Sequence, residues 1–263
     1  MYIATYLKSM IKLSVVIITF NEELNIERCI KSVETIADEI VVVDSFSTDK
    51  TEEICAKYKV NFLKNTWQGY SNQKNFGNKQ AKYDWVLSID ADETISNELK
   101  NTILNLKHTE NTPRNYRMKR LVNYCGKWIH HGGWYPDIKV RLFDRRINEW
   151  EGIIHERINV KDEKNIEILK GNCFHYTYNN LTEHINQANK FTDILSKAMF
   201  DKGIRSSFFK LLINPIIKFF KDYFFMLGFL DGYYGFLISR ISAHATFLKY
   251  AKLKQLQTKK VVK

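Results

Sequence analysis

Trp85-Val-Leu-Ser-Ile-Asp-Ala-Asp-Glu-Thr94 begins apolar and ends in acid, and the reading of the fold turns on it. Trp85, Val86, Leu87 and Ile89 have the aromatic and β-branched character of a short buried strand. Asp90, Asp92 and Glu93 then crowd the point where that strand runs out. In an open α/β sheet, ligands bind beyond the carboxyl ends of the strands. Two carboxylates one residue apart repel each other unless a cation sits near them. Oxygen ligands suit a hard ion such as Mg2+ or Mn2+, which fills its remaining positions with water and substrate phosphate. The stretch therefore predicts a metal–diphosphate site. The competing reading is a polar loop capping a helix that starts near Ser96.

Upstream, the pattern repeats. Leu13 to Thr19 is a buried-type parallel strand followed by the polar loop Phe20-Asn-Glu-Glu23, and Asn25 to Glu39 carries an apolar helical face. Glu39 to Asp44 is a second strand ending in acid. Ser45 to Asp49 is a loop in which Thr48 or Asp49 can cap the helix that runs to Tyr58. Val60 to Lys64 is a third strand, and Trp67 to Lys82 a helix carrying Gln73, Lys74 and Asn75. The order is βαβαβαβ, which predicts a right-handed, mostly parallel sheet with helices on both faces. Three strands then end in polar loops on one edge, as a nucleotide lying across that edge requires. No Gly-x-Gly-x-x-Gly follows the first strand and no Gly-x-x-x-x-Gly-Lys-Ser/Thr occurs, which argues against a dinucleotide fold and excludes a P-loop.

The chain has 263 residues, 44% of them hydrophobic, enough for one large α/β domain with an appendage and too apolar for a disordered chain. Cys29, Cys55, Cys125 and Cys173 are scattered, so neither a zinc site nor a disulfide framework is indicated, and reduced thiols in a cytosolic protein are expected. Residues 1–12 read as an N-terminal extension without the features of a signal peptide, and Met10 is an alternative start. The formal net charge is +11, but from Lys197 onward thirteen basic residues face three acidic ones, so +10 of it belongs to the tail.

Ser14-Val-Val-Ile-Ile-Thr-Phe-Asn-Glu-Glu23, Val41-Val-Val-Asp-Ser-Phe-Ser-Thr-Asp-Lys-Thr51 and Asp90-Ala-Asp-Glu93 resemble the three landmarks of family-two glycosyltransferases of GT-A fold. Gly133-Trp-Tyr-Pro-Asp137, Arg141-Leu-Phe-Asp-Arg145, Ile154-His-Glu156 and Gly228-Phe-Leu-Asp-Gly-Tyr-Tyr-Gly-Phe236 are similar to the bacterial lipopolysaccharide-core β-1,4-glucosyltransferase type. The resemblance spans about Leu13 to Leu253. It implies a GT-A catalytic domain over 13–178, with a nucleotide-sugar half (13–95) and an acceptor half (96–178), and inverting transfer of a hexose, glucose foremost, from a UDP-sugar to a lipopolysaccharide-core or other envelope saccharide.

By match to that family, Asp44 would accept from the uracil edge, and Thr19, Phe20 and Asn21 would line the base. Asp90 would meet the ribose and Asp92 would ligate Mg2+ or Mn2+. Glu22, Ser45, Lys74 and Ala91 would complete the donor site, and His175, read from its own sequence context, would be a further metal or phosphate ligand. Inversion by direct displacement needs a base opposite the leaving group. Glu156 is the first choice, with His155 positioning it or reaching the diphosphate, and Asp137 the second. The competing reading of Glu156 is an ion pair with Arg157 or a nearby lysine; that of His175 is a hydrogen-bonded core residue. Arg141 and Arg145 either hold phosphate or pair with Asp144 and Glu149. His130 to Gly133 reads as a flexible acceptor-side loop, where Trp134 and Tyr135 either stack on a sugar or pack in a core.

The tail, 179–263, reads as helices: Leu181 to Asp201, Phe208 to Leu230 broken by Pro215, and Tyr233 to Lys254, with Gly228 to Gly232 turning between the last two. Aromatic residues interleaved with lysines suit a helix at an anionic bilayer surface; the competing reading is helices packed on the catalytic domain with solvated lysines. The lipid-linked acceptor that the resemblance implies favours the first, with the protein expected peripherally on the inner face of the cytoplasmic membrane. No recognised nucleic-acid-binding module occurs. Two other functions fit parts of the pattern. Asp90-x-Asp92-x-Thr94 after an apolar strand matches haloacid-dehalogenase phosphatases, with Asp90 as nucleophile. A membrane adaptor that has lost its chemistry is the other.

Overall fold

The computed structural model describes residues 11–109, 115–152, 156–160 and 166–261, with side chains described through 258. It divides into two compact units, 1–120 with 138–175, and 121–137 with 176–263. Strands β6 (Asn115–Tyr124) and β11 (Ile166–Tyr178) each begin in the first unit and end in the second. One boundary between the units falls after His175. Residues 121–137, however, group with the C-terminal helices.

In the first unit, β1 (Leu13–Thr19), β2 (Glu39–Asp44) and β4 (Trp85–Asp90) are the hydrophobic runs of the sequence, with β1 parallel to both of the others. β3 (Asn61–Lys64) extends the parallel part beyond β2. With β5 (Glu93–Ile95), β7 (Lys127–Ile129) and β8 (Asp137–Asp144), the nine-stranded sheet runs β3-β2-β1-β4-β8-β6-β11-β5, with β7 paired to β6, while β9 (Glu149–Glu151) and β10 (Arg157–Asn159) form a separate antiparallel pair. It is mixed rather than mostly parallel: β4 meets β8 antiparallel, and β5 meets β11 antiparallel. β5 follows β4 after two residues, yet it lies at the far end of the sheet against β11, so the chain leaves the parallel sheet without a helical crossover.

Alternation along β1 sends residues to both faces. Leu13, Val15 and Ile17 pack with Ile26, Cys29, Ile30 and Val33 of α1 (Ile26–Val33) and with Leu99 and Ile103 of α4 (Asn97–Leu106). Val16 and Ile18 join Val41, Val43, Phe143 and Trp150 beneath α3 (Tyr70–Gln80). Helices thus cover both faces, as expected. Ser96 caps α4, its hydroxyl accepting from Leu99 N at 3.2 Å. α3 buries polar residues, Ser71, Gln73, Lys74 and Asn78, instead of an apolar stripe. It can approach the sheet because Gly77 has no side chain: a Cβ there would lie 2.5 Å from Val16 Cγ1 and 2.9 Å from Val43 Cγ2.

In the second unit, α5 spans Leu181–Asp201 as read from the sequence. α6 (Phe208–Phe220) runs through Pro215 without ending, which corrects the expected break. The break falls later, in a π-helical turn at Lys221–Phe225 and at Leu227, whose φ is 59°. It belongs there because Gly228 must pass close to that turn; a Cβ at Gly228 would lie 2.7 Å from the Asp222 carbonyl. α7 follows as Gly232–Val261. Tyr124, Ile129 and Ile238 form this unit's core with Trp134, Tyr178 and Tyr234. The loop expected to be flexible at His130 to Gly133 is tied down. The buried Asp231 carboxylate accepts from His130 N and His131 N, the latter at 2.8 Å, and Gly132 N donates to Met226 O at 2.8 Å.

Candidate active site

The parallel strands set the site. Register pairs Thr19 with Asp44 and Ile18 with Asp90, so β1, β2 and β4 end level at one edge. The loops that follow β1 and β2 are laced together. Asn21 N donates to Ser47 Oγ and Thr48 N to Asn21 Oδ1, each at 2.8 Å, while Glu22 N donates to Thr51 Oγ1 at 2.9 Å. Asp49 accepts from Glu23 N and Thr51 N, but the N-cap position of the short α2 (Thr51–Cys55) is Lys50, which makes no side-chain cap bond, so the expected cap by Thr48 or Asp49 is replaced by a turn just before the helix. Asn21 and Phe46 hold positive φ, 54° and 64°, conformations a side chain tolerates only where neighbours impose them. Phe20 and Phe46 stay about half exposed beside this edge.

Asp44 is fully buried, and its carboxylate accepts from Ser47 N at 2.9 Å and from the Ser47 hydroxyl. Ser45 is held by Gln73, whose Nε2 donates to its hydroxyl at 2.9 Å. Thr19 and Ala91 are buried at the strand ends.

Around Asp90 lies a network of alternating charge. Lys74, with no exposed side-chain surface, places Nζ 2.9 Å from Asp90 Oδ1 and 3.0 Å from Glu156 Oε1. The same ammonium stands 4.4 Å over the Trp150 ring. Arg141 Nη2 donates to Asp90 Oδ2 at 3.2 Å and to Glu93 Oε1 at 3.0 Å, and Arg120 Nη1 reaches the same Glu93 oxygen at 3.1 Å. Glu93 is fully buried and also accepts from Asp90 N at 3.1 Å. Burial opposes the charge on Asp90, but Lys74 and Arg141 outweigh it and hold the carboxyl well below its ordinary range.

Asp92 takes no part in that network. Its Oδ2 sits 3.1 Å from His175 Nε2, brought there by the β5–β11 pairing that sets His175 opposite Glu93. Burial works against protonation of His175, yet Asp92 raises its affinity for a proton. Glu22 accepts from Asn25 Nδ2 at 2.7 Å, and its carboxyl is pushed up to about 7, first by burial and then by the charge of Asp92. Three carboxylates, Glu22, Asp90 and Asp92, thus feel one another, and the two cations in contact belong to Asp90.

That surplus of negative charge, with an imidazole against Asp92, is a donor set that fits a divalent cation such as Mn2+ or Mg2+. Among the described residues no three His, Cys, Asp or Glu side chains stand together as a complete protein cage. The fit is to an ion that takes its other ligands from water and phosphate.

The structure therefore brings together Thr19, Glu22, Asp44, Ser45, Lys74, Asp90, Asp92, Glu156 and His175, all in the first unit. Asp137 falls in the second unit, and His155 lies outside the described residues. Lys74 is sealed from solvent by the two carboxylates it serves, so direct contact with a donor, the expectation for it, is closed here. Of the two expected alternatives for Glu156, an ion pair with a lysine is present, but the lysine is a buried one. Arg141 bonds Asp90 and Glu93 rather than Asp144 or Glu149. Arg145 donates to Tyr83 O at 2.9 Å and to Asn78 O, while Asp144 binds Arg146. Trp134 packs edge-on against Tyr124, 5.7 Å between ring centres. Arg120 and Trp150 were not singled out from the sequence, and Glu93 was read only as part of the acid cluster, without a role of its own.

Comparison with known proteins adds independent findings. Residues 14–113 match the model of Glycosyl transferase family 2. An uncharacterized glycosyltransferase of Rickettsia typhi is 33% identical over 258 residues, 94% of this chain and 88% of the relative. The lipopolysaccharide core biosynthesis glycosyltransferase LpsC of Rhizobium meliloti is 30% identical over 256 residues, 92% of each chain. In fold, the chain is similar to the mannosyltransferase PcManGT of Pyrobaculum calidifontis, solved with GDP-Man and Mn2+. The TM-score is 0.51 at 13% identity, covering 92% of this chain and 86% of that one.

Proposed function

We propose, from the premise that this chain belongs to glycosyl transferase family 2 and is a glycosyltransferase of GT-A-like fold, that it transfers a hexose, glucose foremost, from a UDP-sugar to a lipopolysaccharide-core or other envelope saccharide. The observation that carries this reading is the level ending of β1, β2 and β4, which sets Thr19, Asp44 and Asp90 along one edge beside the Asp92–His175 pair. The nucleotide lies along this edge, its base against Thr19 to Asn21 and Asp44, its ribose toward Asp90. Residues 13–95 serve the donor and 96–178 the acceptor, with His175 crossing to the donor side.

Asp92 and His175 would hold Mn2+ or Mg2+, with the Glu22 carboxyl close by in the same acidic field. When bound, the ion offsets the charge that builds on the departing diphosphate. Glu156 takes the proton of the acceptor hydroxyl as the new glycosidic bond forms with inversion. Lys74 is a positioning residue: it holds Asp90 ionised and fixes Glu156 relative to it. The envelope acceptor in the name of LpsC supports the choice of acceptor class. The basic helical tail supports work at the inner face of the cytoplasmic membrane, although no described helix is long and apolar enough to cross one.

A phosphatase using Asp90 as nucleophile is disfavoured, since both its carboxylate oxygens face cations. The test is a donor screen on purified protein, reading nucleotide released from UDP-, GDP- and CMP-sugars with Mn2+ or Mg2+. Release of UDP from one UDP-hexose is expected, abolished by chelation and in Asp92→Ala. Release of GDP or CMP alone would sink the UDP assignment, and phosphate freed from simple esters would restore the phosphatase. An absence of donor binding by calorimetry would favour the adaptor.

A further inference from the structure

The helix α6 buries none of its residues. Its exposed side chains are large and apolar: Phe208 is 72% exposed, Phe209 74%, Leu212 46%, Ile213 46%, Ile216 57% and Ile217 56%. At about 100° per residue these six occupy one half of the helix circumference. The half-buried Leu211, Asn214, Pro215 and Lys218 lie on the other half, and Phe219, at the edge of the apolar half, is stacked on Tyr223 and edge-on to Phe236. The apolar face continues past the helix through Phe225, 83% exposed, Leu230 and Tyr233. Monomeric soluble proteins rarely leave so continuous an apolar surface uncovered.

We infer that this face of α6, with the turn that follows it, is seated in the interface of an anionic lipid bilayer, the helix lying in the membrane plane. This deepens the reading given above and rests on it for the membrane-bound acceptor. Charge selects the occupant. Lys210 and Lys221 border the apolar half, and Phe208–Lys221 contains no acid. The first acid beyond, Asp222, is buried and paired with Lys218 at 2.9 Å. A second copy of the chain would bring the same positive tail against this one, which like-charge repulsion disfavours, whereas anionic headgroups complement it. Length sets the orientation. Thirteen helical residues span about 20 Å, short of the roughly 30 Å hydrocarbon core, so α6 can lie in the interface but not span it.

The experiment is co-sedimentation of the full chain with vesicles of phosphatidylglycerol and phosphatidylethanolamine, and with phosphatidylcholine vesicles. Binding to the anionic vesicles is expected to be at least about tenfold tighter and to weaken with salt. Ile213→Glu with Ile217→Glu, and separately Lys210→Glu with Lys221→Glu, should each weaken it by about tenfold or more. Both variants should keep wild-type circular dichroism and wild-type UDP release in solution. The inference is overturned if wild-type protein stays in the supernatant with anionic vesicles, or binds both lipids alike. It is equally overturned if the chain sediments as a dimer that Ile213→Glu with Ile217→Glu dissociates. UDP release measured on the same preparations separates the two readings. Vesicle binding without release defeats only the donor assignment, and release without vesicle binding defeats only this one.

Discussion

Replacing Lys74 by methionine tests the charge network directly. The side chain keeps its length and loses its charge, so little packing changes. Two carboxylates then lose a common partner at 2.9 and 3.0 Å, and Trp150 loses the ammonium over its ring. Breaking a buried ion pair from one side costs about 3–5 kcal/mol. Here two features reduce that figure. Asp90 keeps Arg141 at 3.2 Å, and the Asp90 and Glu156 side chains remain 24% and 19% exposed to water. A loss of about 2–3 kcal/mol is therefore expected, which lowers Tm by roughly 4–12 °C in a chain of this size. Glu156→Gln alone should cost less, because Lys74 still has Asp90. The double variant should be more stable than the two single losses predict, with a coupling of about 1–3 kcal/mol. Activity should not follow stability: Glu156→Gln is expected to lower transfer by about 10²–10⁴-fold, and the double variant to stay as inactive. The assays are thermal denaturation and transfer measured at saturating donor. A Tm for Lys74→Met within about 1 °C of wild type would refute the network as a structural element. Full transfer by Glu156→Gln would remove it as the base.

Two further tests address the scaffold. Gly77→Ala should destabilise by about 1–3 kcal/mol, because its Cβ would collide with Val16 and Val43 in a packed layer; an unchanged denaturant midpoint would show that α3 can lift away without cost. Buried His184, its Nδ1 2.8 Å from the Tyr124 hydroxyl, is pushed by burial down to about 4. Its folded-state pKa lies below the unfolded value near 6.5, so its contribution is fully present above that pH and is lost as pH falls from there toward 4. The slope reaches at most about 1.4 kcal/mol per pH unit. Unfolding measured across that window should be steeper in wild type than in His184→Phe, and equal slopes would exclude His184 as the source.

The sequence by itself determined the nucleotide edge. Hydrophobic runs of strand length, each ending in Thr19, Asp44 or Asp90, carry their own signal: a buried parallel strand must be apolar along its length, and its polar end can only be a loop. The same logic made α5 legible to the residue and located the Asp-x-Asp. Other features could be decided only by tertiary contact. α3 shows no apolar stripe because it is the helix that delivers Gln73, Lys74 and Asn75 inward, so periodicity understated it. The antiparallel strands β5 and β8 depend on partners far away in sequence, and nothing in three residues such as Glu93–Ile95 announces a strand. Proline chemistry pointed to a break at Pro215, but the close passage of Gly228 against the π-helical turn moved it downstream. The identity of each ion pair was likewise invisible. Lys74 meets Glu156 across 82 positions and Arg141 meets Asp90 across 51. Charge is written in the sequence, but which charges share a buried space is set only when the sheet and helices close around them.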